Sequence, residues 1–155
     1  VRDFLVTGGC GFIGSNLVRM LLDRFPDEEI WNLDVMTYAG SGGNLDDLAD
    51  HPRYRLVKGD ICDLVRARSL HPRLAKGGFR AVFHLAAESH VDRSTVEAVD
   101  FVRTNVLGTQ AVADWVRGGG AGRMIHVSTD EVYGSLGPTG RFRETTPLAP
   151  NSPYA

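Results

Sequence analysis

The segment Thr7-Gly8-Gly9-Cys10-Gly11-Phe12-Ile13-Gly14 constrains this chain more than any other. It follows a short apolar run, Phe4-Leu5-Val6, and opens a segment of helical periodicity, Phe12–Arg24. A strand that runs through glycines into a helix brings bare backbone N–H groups and a helix N-terminus to one point, which suits a phosphate. Two spacings are satisfied at once, Gly9-x-Gly11-x-x-Gly14 and Gly8-x-x-Gly11-x-x-Gly14. The first is the general dinucleotide fingerprint. Glycines also serve turns and tight helix–strand contacts; the strand before and the helix after favour the nucleotide.

Strand and helix patterns alternate along the rest of the chain. Strands are expected at Phe4–Thr7, Ile30–Asp34, Tyr54–Lys58, 81–85 and 124–128. The first helix has Phe12, Leu17, Met20 and Leu21 as its inner face. A loop over 35–43 leads to a short helix over 45–49 with Asn44 as a possible cap. Another helix follows Asp63 to about Leu70, and the longest runs from about Val96 to Arg117 before three glycines. Residues 81–85 read as a wholly apolar strand, as in a parallel sheet covered on both faces. Strands separated by helices at this spacing imply right-handed crossovers and an α/β, doubly wound parallel sheet of Rossmann type. Residues 1–155 are expected to form one dinucleotide-binding domain.

Composition narrows the partners. A sequence pI near 6.2 gives no basic footprint for nucleic acid. No apolar run approaches the ~18 residues of a membrane span, and the chain starts straight into a strand without a charged and apolar leader. Cys10 and Cys62 lie far apart, one inside the glycine loop, so a reducing cytoplasm is expected rather than a disulfide. The five histidines show no paired spacing with cysteine or one another, and no metal is expected. His84 and His126 lie in strands, where core packing or backbone hydrogen bonds would satisfy them.

Asp34 lies twenty residues beyond Gly14, at the end of the second strand. A carboxylate there accepts hydrogen bonds from the adenosine ribose and repels a 2′-phosphate, favouring NAD over NADP; it could also merely cap a turn. Asp60 ends the third strand in the same layer, where an acceptor can meet the adenine amino group. Ser128-Thr129-Asp130-Glu131-Val132-Tyr133-Gly134 then places a hydroxyl and two carboxylates beyond the fifth strand, with Tyr154 downstream. In a regular strand Asp130 and Glu131 would face opposite sides. Both reach one substrate only if the strand has already turned into loop, and that is expected here.

These segments resemble the extended short-chain dehydrogenase/reductases, whose glycine spacing is that of Gly8, Gly11 and Gly14, and among them the dTDP-glucose 4,6-dehydratase family. Besides the glycine loop, the matching stretches are Leu33-Asp34, Thr37-Tyr38-Ala39-Gly40, Gly59-Asp60-Ile61, residues 84–94, Thr104-Asn105, residues 128–134 and Ser152-Pro153-Tyr154. The stretches 86–94 and 128–134 are the specific ones. The resemblance implies that Phe12, Ile13, Asp34, Thr37, Asp60, Ile61, Leu85, Ala86, Ala87, Glu88, Ser89 and Thr104 contact NAD. It implies that Ser89 and Thr129 touch a nucleotide-sugar substrate, dTDP-glucose, with Thr129 polarising the C4 oxygen. Tyr154 would take the C4 hydroxyl proton, Asp130 protonate the departing C6 hydroxyl, and Glu131 remove the C5 proton. The family also implies a homodimer built partly on the long helix.

The family's tyrosine is followed by a lysine, at the fourth position after Tyr154 and so beyond Ala155, as are the C-terminal substrate-binding elements. The 155 residues alone are therefore expected to show no turnover. Two other readings remain open. One is another nucleotide-sugar enzyme of the group: an epimerase, a decarboxylase, or a dehydratase acting on a GDP or UDP sugar. The other is a non-catalytic NAD-sensing module, which would have no use for Thr129, Asp130, Glu131 and Tyr154 together.

Overall fold

The computed structural model describes residues 3–37, 40 and 42–155. Tyr38 and Ala39, within the Thr37–Gly40 match, lie outside the described residues. Five strands form one sheet: β1 (Phe4–Thr7), β2 (Ile30–Asp34), β3 (Tyr54–Lys58), β4 (Ala81–His84) and β5 (Met124–His126), in the order β3-β2-β1-β4-β5. All four pairings are parallel, and Thr7 stands beside both Leu33 and His84. The chain runs from β1 through β2 to β3 on one side, then crosses back from β3 to β4 beside β1's other edge. The loops after β1 and β4 therefore part at the point where the strand order reverses, the usual ligand crevice of such sheets.

Alternation along the strands splits the core between two faces. Phe4, Val6, Ile30, Tyr54 and Ala81 pack with Val18, Leu21 and Leu22 of α1 (Phe12–Arg24). Leu5, Trp31, Leu33, Val57 and Val82 pack with Ile61, Leu64, Leu74 and Val112 on the other side. That second layer comprises a 3₁₀ turn (Ile61–Arg66), α2 (Ala67–Leu70), α3 (Pro72–Lys76) and α6 (Thr109–Arg117). Helical cover on both faces makes the sheet doubly wound, as expected.

Several local expectations are corrected. The buried face of α1 is Gly14, Ser15, Val18, Leu21 and Leu22, whereas Phe12 and Met20 are exposed. Small residues carry the closest approach to the sheet, and a count of large apolar side chains overlooks them. Residues 42–48 are a 3₁₀ segment (Gly42–Leu48) with Asn44 inside it; its amide donates to the Cys10 carbonyl at 2.8 Å instead of capping. The 81–85 stretch is not wholly apolar, because β4 ends on a buried His84. β5 stops at His126, and Val127 N–H makes the last rung to the His84 carbonyl, where the neighbouring strand β4 also ends.

The long helix is also more broken than expected. A helical turn, α4 (Val91–Ser94), occupies part of the expected loop, and α5 (Ala98–Phe101) begins two residues late. α5 runs through a π-helical stretch (Val102–Gly108) into α6. Such wide turns often mark functional positions.

Candidate active site

The glycine loop can be accounted for N–H by N–H. Gly8 N–H donates to the Leu33 carbonyl at 3.0 Å and Gly11 N–H to the Gly8 carbonyl at 3.2 Å. Gly9 N–H donates to Asn32 Oδ1 at 2.9 Å and Cys10 N–H to Asp34 Oδ2 at 2.8 Å. The first turn of α1 closes with Ser15 N–H on the Gly11 carbonyl, leaving the N–H groups of Phe12, Ile13 and Gly14 without acceptors among the described residues. Three unclaimed donors at a helix N-terminus could hold an anion.

Close approach explains two of the glycines. Gly8 has φ +74°, and a Cβ there would lie 2.7 Å from the backbone N and Cα of Ala86 in the loop after β4. A Cβ at Gly14 would collide with the Gly8 carbonyl oxygen, so α1 could not begin so near the loop. The helix start is thereby held against the root of the crevice.

Asp34 is buried, and both its oxygens already accept backbone N–H groups: Oδ2 from Cys10, and Oδ1 from Met36 at 2.7 Å. It therefore does cap the chain after β2, and a carboxylate has further lone pairs for a second partner on each oxygen. Asp60 Oδ1 accepts Cys62 N–H at 2.9 Å, and its Oδ2 lies 3.3 Å from Arg103 on the π-helical stretch. Thr37 is exposed at the loop and Thr104 half-buried. The Ile61 side chain is buried in the core and pressed against Gly108, which leaves it almost no surface to offer a ligand.

At the other end of the crevice a cleft of about 250 Å³ is lined by Ala86, Ala87, Asn105, His126, Thr129 and Tyr154, among others. Leu85 and Glu88 are half-buried and Ser89 exposed along the same loop. Asn105 grips that loop at both backbone atoms of Glu88: Oδ1 accepts its N–H and Nδ2 donates to its carbonyl, each at 2.9 Å. Tyr154 meets the buried Phe101 ring edge-on at 6.3 Å between centroids.

Thr129 caps a 3₁₀ turn (Asp130–Tyr133), its Oγ1 accepting Glu131 N–H at 3.2 Å. The Thr129 hydroxyl hydrogen is left to donate elsewhere. The strand has ended four residues before Asp130, so the two carboxylates are not on opposite faces of a sheet, as expected. In a 3₁₀ turn consecutive side chains diverge by about a third of a revolution. Asp130 is exposed and Glu131 half-buried. Tyr133 stacks on Phe142 at 5.2 Å and so packs the following loop.

Beneath the cleft, His84 is not satisfied by backbone. Its Nδ1 lies 2.7 Å from Thr7 Oγ1 and its Nε2 2.9 Å from Thr109 Oγ1, and its ring stacks on His126 at 5.1 Å. Burial, and secondarily the neighbouring His126, push its pKa down from 6.5 to about 4. Asn32 and Asn105 had no assigned role from sequence, and Asn44 and His84 had different ones. A polar Asn32 in the middle of the buried strand Ile-Trp-Asn-Leu-Asp was a legible signal.

The open parallel sheet, with donors converging at its switch point and a hydroxyl–tyrosine cleft beside them, defines a Rossmann-type nucleotide-binding domain. Comparison with known proteins gives the family. Residues 5–155 match the family described as GDP-mannose 4,6 dehydratase, and the chain belongs to it. It is 51% identical over 153 residues to a dTDP-glucose 4,6-dehydratase of Streptomyces griseus, covering 97% of this chain and 44% of that protein. A solved dTDP-glucose 4,6-dehydratase of Streptomyces venezuelae with NAD bound superposes with a TM-score of 0.88 at 48% identity, over 99% of this chain and 47% of that one. A UDP-Glc/GlcNAc 4-epimerase of Campylobacter jejuni gives 0.86 at 29% identity, over 99% and 45%. The chain thus spans about half the length of the relatives it matches.

Proposed function

We propose that this chain is the NAD-binding half of a dTDP-glucose 4,6-dehydratase, converting that nucleotide sugar to its 4-keto-6-deoxy form. The observation that carries this reading is one cleft bordered by Thr129, Tyr154 and the Ala86-Ala87 backbone, beside the unclaimed N–H groups of α1. The dehydratases among the relatives, and the solved one that binds NAD, support it. The residues present fit a dinucleotide. Phe12, Ile13 and Gly14 offer three donors to a pyrophosphate, Gly8, Gly11 and Gly14 keep that approach open, and Asp34 and Asp60 keep free lone pairs for ribose and adenine.

Bound NAD supplies a hydride acceptor for C4 and a hydride donor for C6. The chain's own part is to move protons in the right order. Tyr154 takes the C4 hydroxyl proton while Thr129 donates a hydrogen bond to that oxygen. A C5–H becomes acidic only once C4 is a ketone, so Glu131 acts as base after that step, and Asp130 protonates the departing C6 hydroxyl. Each such group typically contributes about 10²–10⁴-fold in rate. Ser89, on the loop Asn105 grips, completes the substrate contacts, while Leu85, Glu88, Thr37, Thr104 and the Ile61 backbone border the cofactor.

The same reading includes a cytoplasmic homodimer. The exposed Val99, Val102, Val106 and Leu107 form an apolar stripe from α5 into the π-helical stretch, which a second copy would cover. Both cysteines are free thiols, which suits a reducing compartment.

The test is to give the full-length protein dTDP-glucose, GDP-mannose and UDP-glucose and to follow product by mass and 4-keto absorbance. Loss of water from dTDP-glucose alone is the expected result; loss of water from another sugar would reassign the substrate. The likeness to a 4-epimerase favours a second reading. An epimerase needs the hydroxyl and the tyrosine but neither carboxylate, and product of unchanged mass would establish it. NAD binding without turnover of any sugar would leave a sensor.

A further inference from the structure

Asn32 is fully buried in the middle of β2, where an amide must find partners for both its ends or cost the fold. Its Oδ1 accepts Gly9 N–H at 2.9 Å. Its Nδ2 donates to Tyr54 Oη at 2.9 Å and to Cys10 Sγ at 3.4 Å. The amide can sit only this way round: Gly9 N–H is purely a donor and must face the oxygen. A side chain at Gly9 would collide with the Asn32 amide, so loop and amide are fitted to each other.

The surroundings keep this arrangement uncharged. Burial pushes the Tyr54 phenol up to about 12 and the Cys10 thiol up to about 11, so both stay protonated at neutral pH. The bond takes Gly9 N–H out of play as a ligand donor, as Asp34 does for Cys10 N–H. What remains unclaimed is the set at Phe12, Ile13 and Gly14, three to five residues beyond Gly9 in the first turn of α1. An apolar residue at position 32 would leave Gly9 N–H buried and unsatisfied, and the loop would turn to seek an acceptor.

We infer that Asn32 is a positioning residue for the dinucleotide phosphates: it fixes Gly9 and thereby aims the three free amides at the start of α1. This rests on the reading of that helix start as a dinucleotide phosphate site. It follows that Asn32 affects ligands through their phosphates, not through adenine or ribose. A role confined to stabilising the fold would weaken every ligand alike.

The experiment measures binding of NAD, ADP and adenosine to the full-length protein and to Asn32→Leu, which has similar volume and no polar atoms. NAD and ADP affinities are expected to fall about tenfold, the scale of one net hydrogen bond, with adenosine unchanged within about twofold. Equal losses for adenosine and ADP, or no loss for any ligand, would overturn the inference. If Asn32→Leu does not fold, Tyr54→Phe serves instead. It keeps the Gly9 bond but removes the oxygen that fixes the amide's other end, and a loss of about threefold confined to the phosphate-bearing ligands is expected. A uniform loss, or none, would again overturn it. Failure of the unaltered protein to bind NAD or ADP would instead refute the dinucleotide reading itself.

Discussion

Acidification should destabilise this protein through His84 specifically. In the unfolded chain its imidazole takes up a proton near pH 6.5, whereas in the folded protein burial and His126 hold that uptake off until about pH 4. Between those values the unfolded state binds more protons, so stability falls as pH falls. The full gap, at 1.36 kcal/mol per pH unit, amounts to about 3 kcal/mol, and about 2 kcal/mol of it is already lost by pH 5. The burial is near complete, at 1% exposure, so solvent screening does little to reduce this. The assay is chemical denaturation from pH 7.5 to 5.0, comparing the protein with His84→Gln. Glutamine can still reach a threonine hydroxyl but does not titrate. Other groups titrate in both proteins and cancel in the difference. The stability advantage of the unaltered protein should shrink by about 2 kcal/mol across that range. Parallel curves would refute the argument, as would a His84 ring resonance that titrates near pH 6.5 in the folded state.

Other outcomes follow from the same geometry. Gly8→Ala and Gly78→Ala share φ +74°, but only at Gly8 would the new methyl meet backbone. Gly78→Ala should cost about 1 kcal/mol and Gly8→Ala at least ~3 kcal/mol in denaturation experiments; equal costs would mean that the contact with Ala86 is not tight. Asp34→Asn leaves one oxygen for two backbone donors, so stability should drop by about 1–3 kcal/mol, and NAD affinity should fall without a gain for NADP, measured by melting and titration. In the full-length enzyme Glu131→Gln should lower kcat by about 10²–10⁴-fold with KM little changed; an unaltered kcat would remove Glu131 from the proton transfers.

The sheet was legible because parallel strands buried on both faces write themselves as short apolar runs. The ends of β1, β2, β3 and α1 fell where glycine, proline and charge put them. What stayed hidden depends on contacts between segments distant in the chain. Asn44 looked like a local cap but serves the Cys10 carbonyl, thirty-four residues earlier. Asp34 was read as facing a ribose or capping a turn; the cap was legible, but its bond to Cys10 N–H, twenty-four residues earlier, was not. Asn105 sat in a matching stretch without a role until the structure brought it to Glu88. The stripe of valines over Val99, Val102 and Val106 has helical spacing whether it faces core or water, so periodicity could not reveal that these residues are exposed. The break at Val96 and the π-helical widening left no mark in composition either.

The contact between Gly8 and Ala86 has a mechanical consequence. It joins the two diverging loops at their base, backbone against backbone, with no side chain between them to flex. The base of the glycine loop and the base of the cleft beside Ala86 are thus parts of one slab. The spacing between the start of α1 and the Ala86 loop is then set once, when the chain folds.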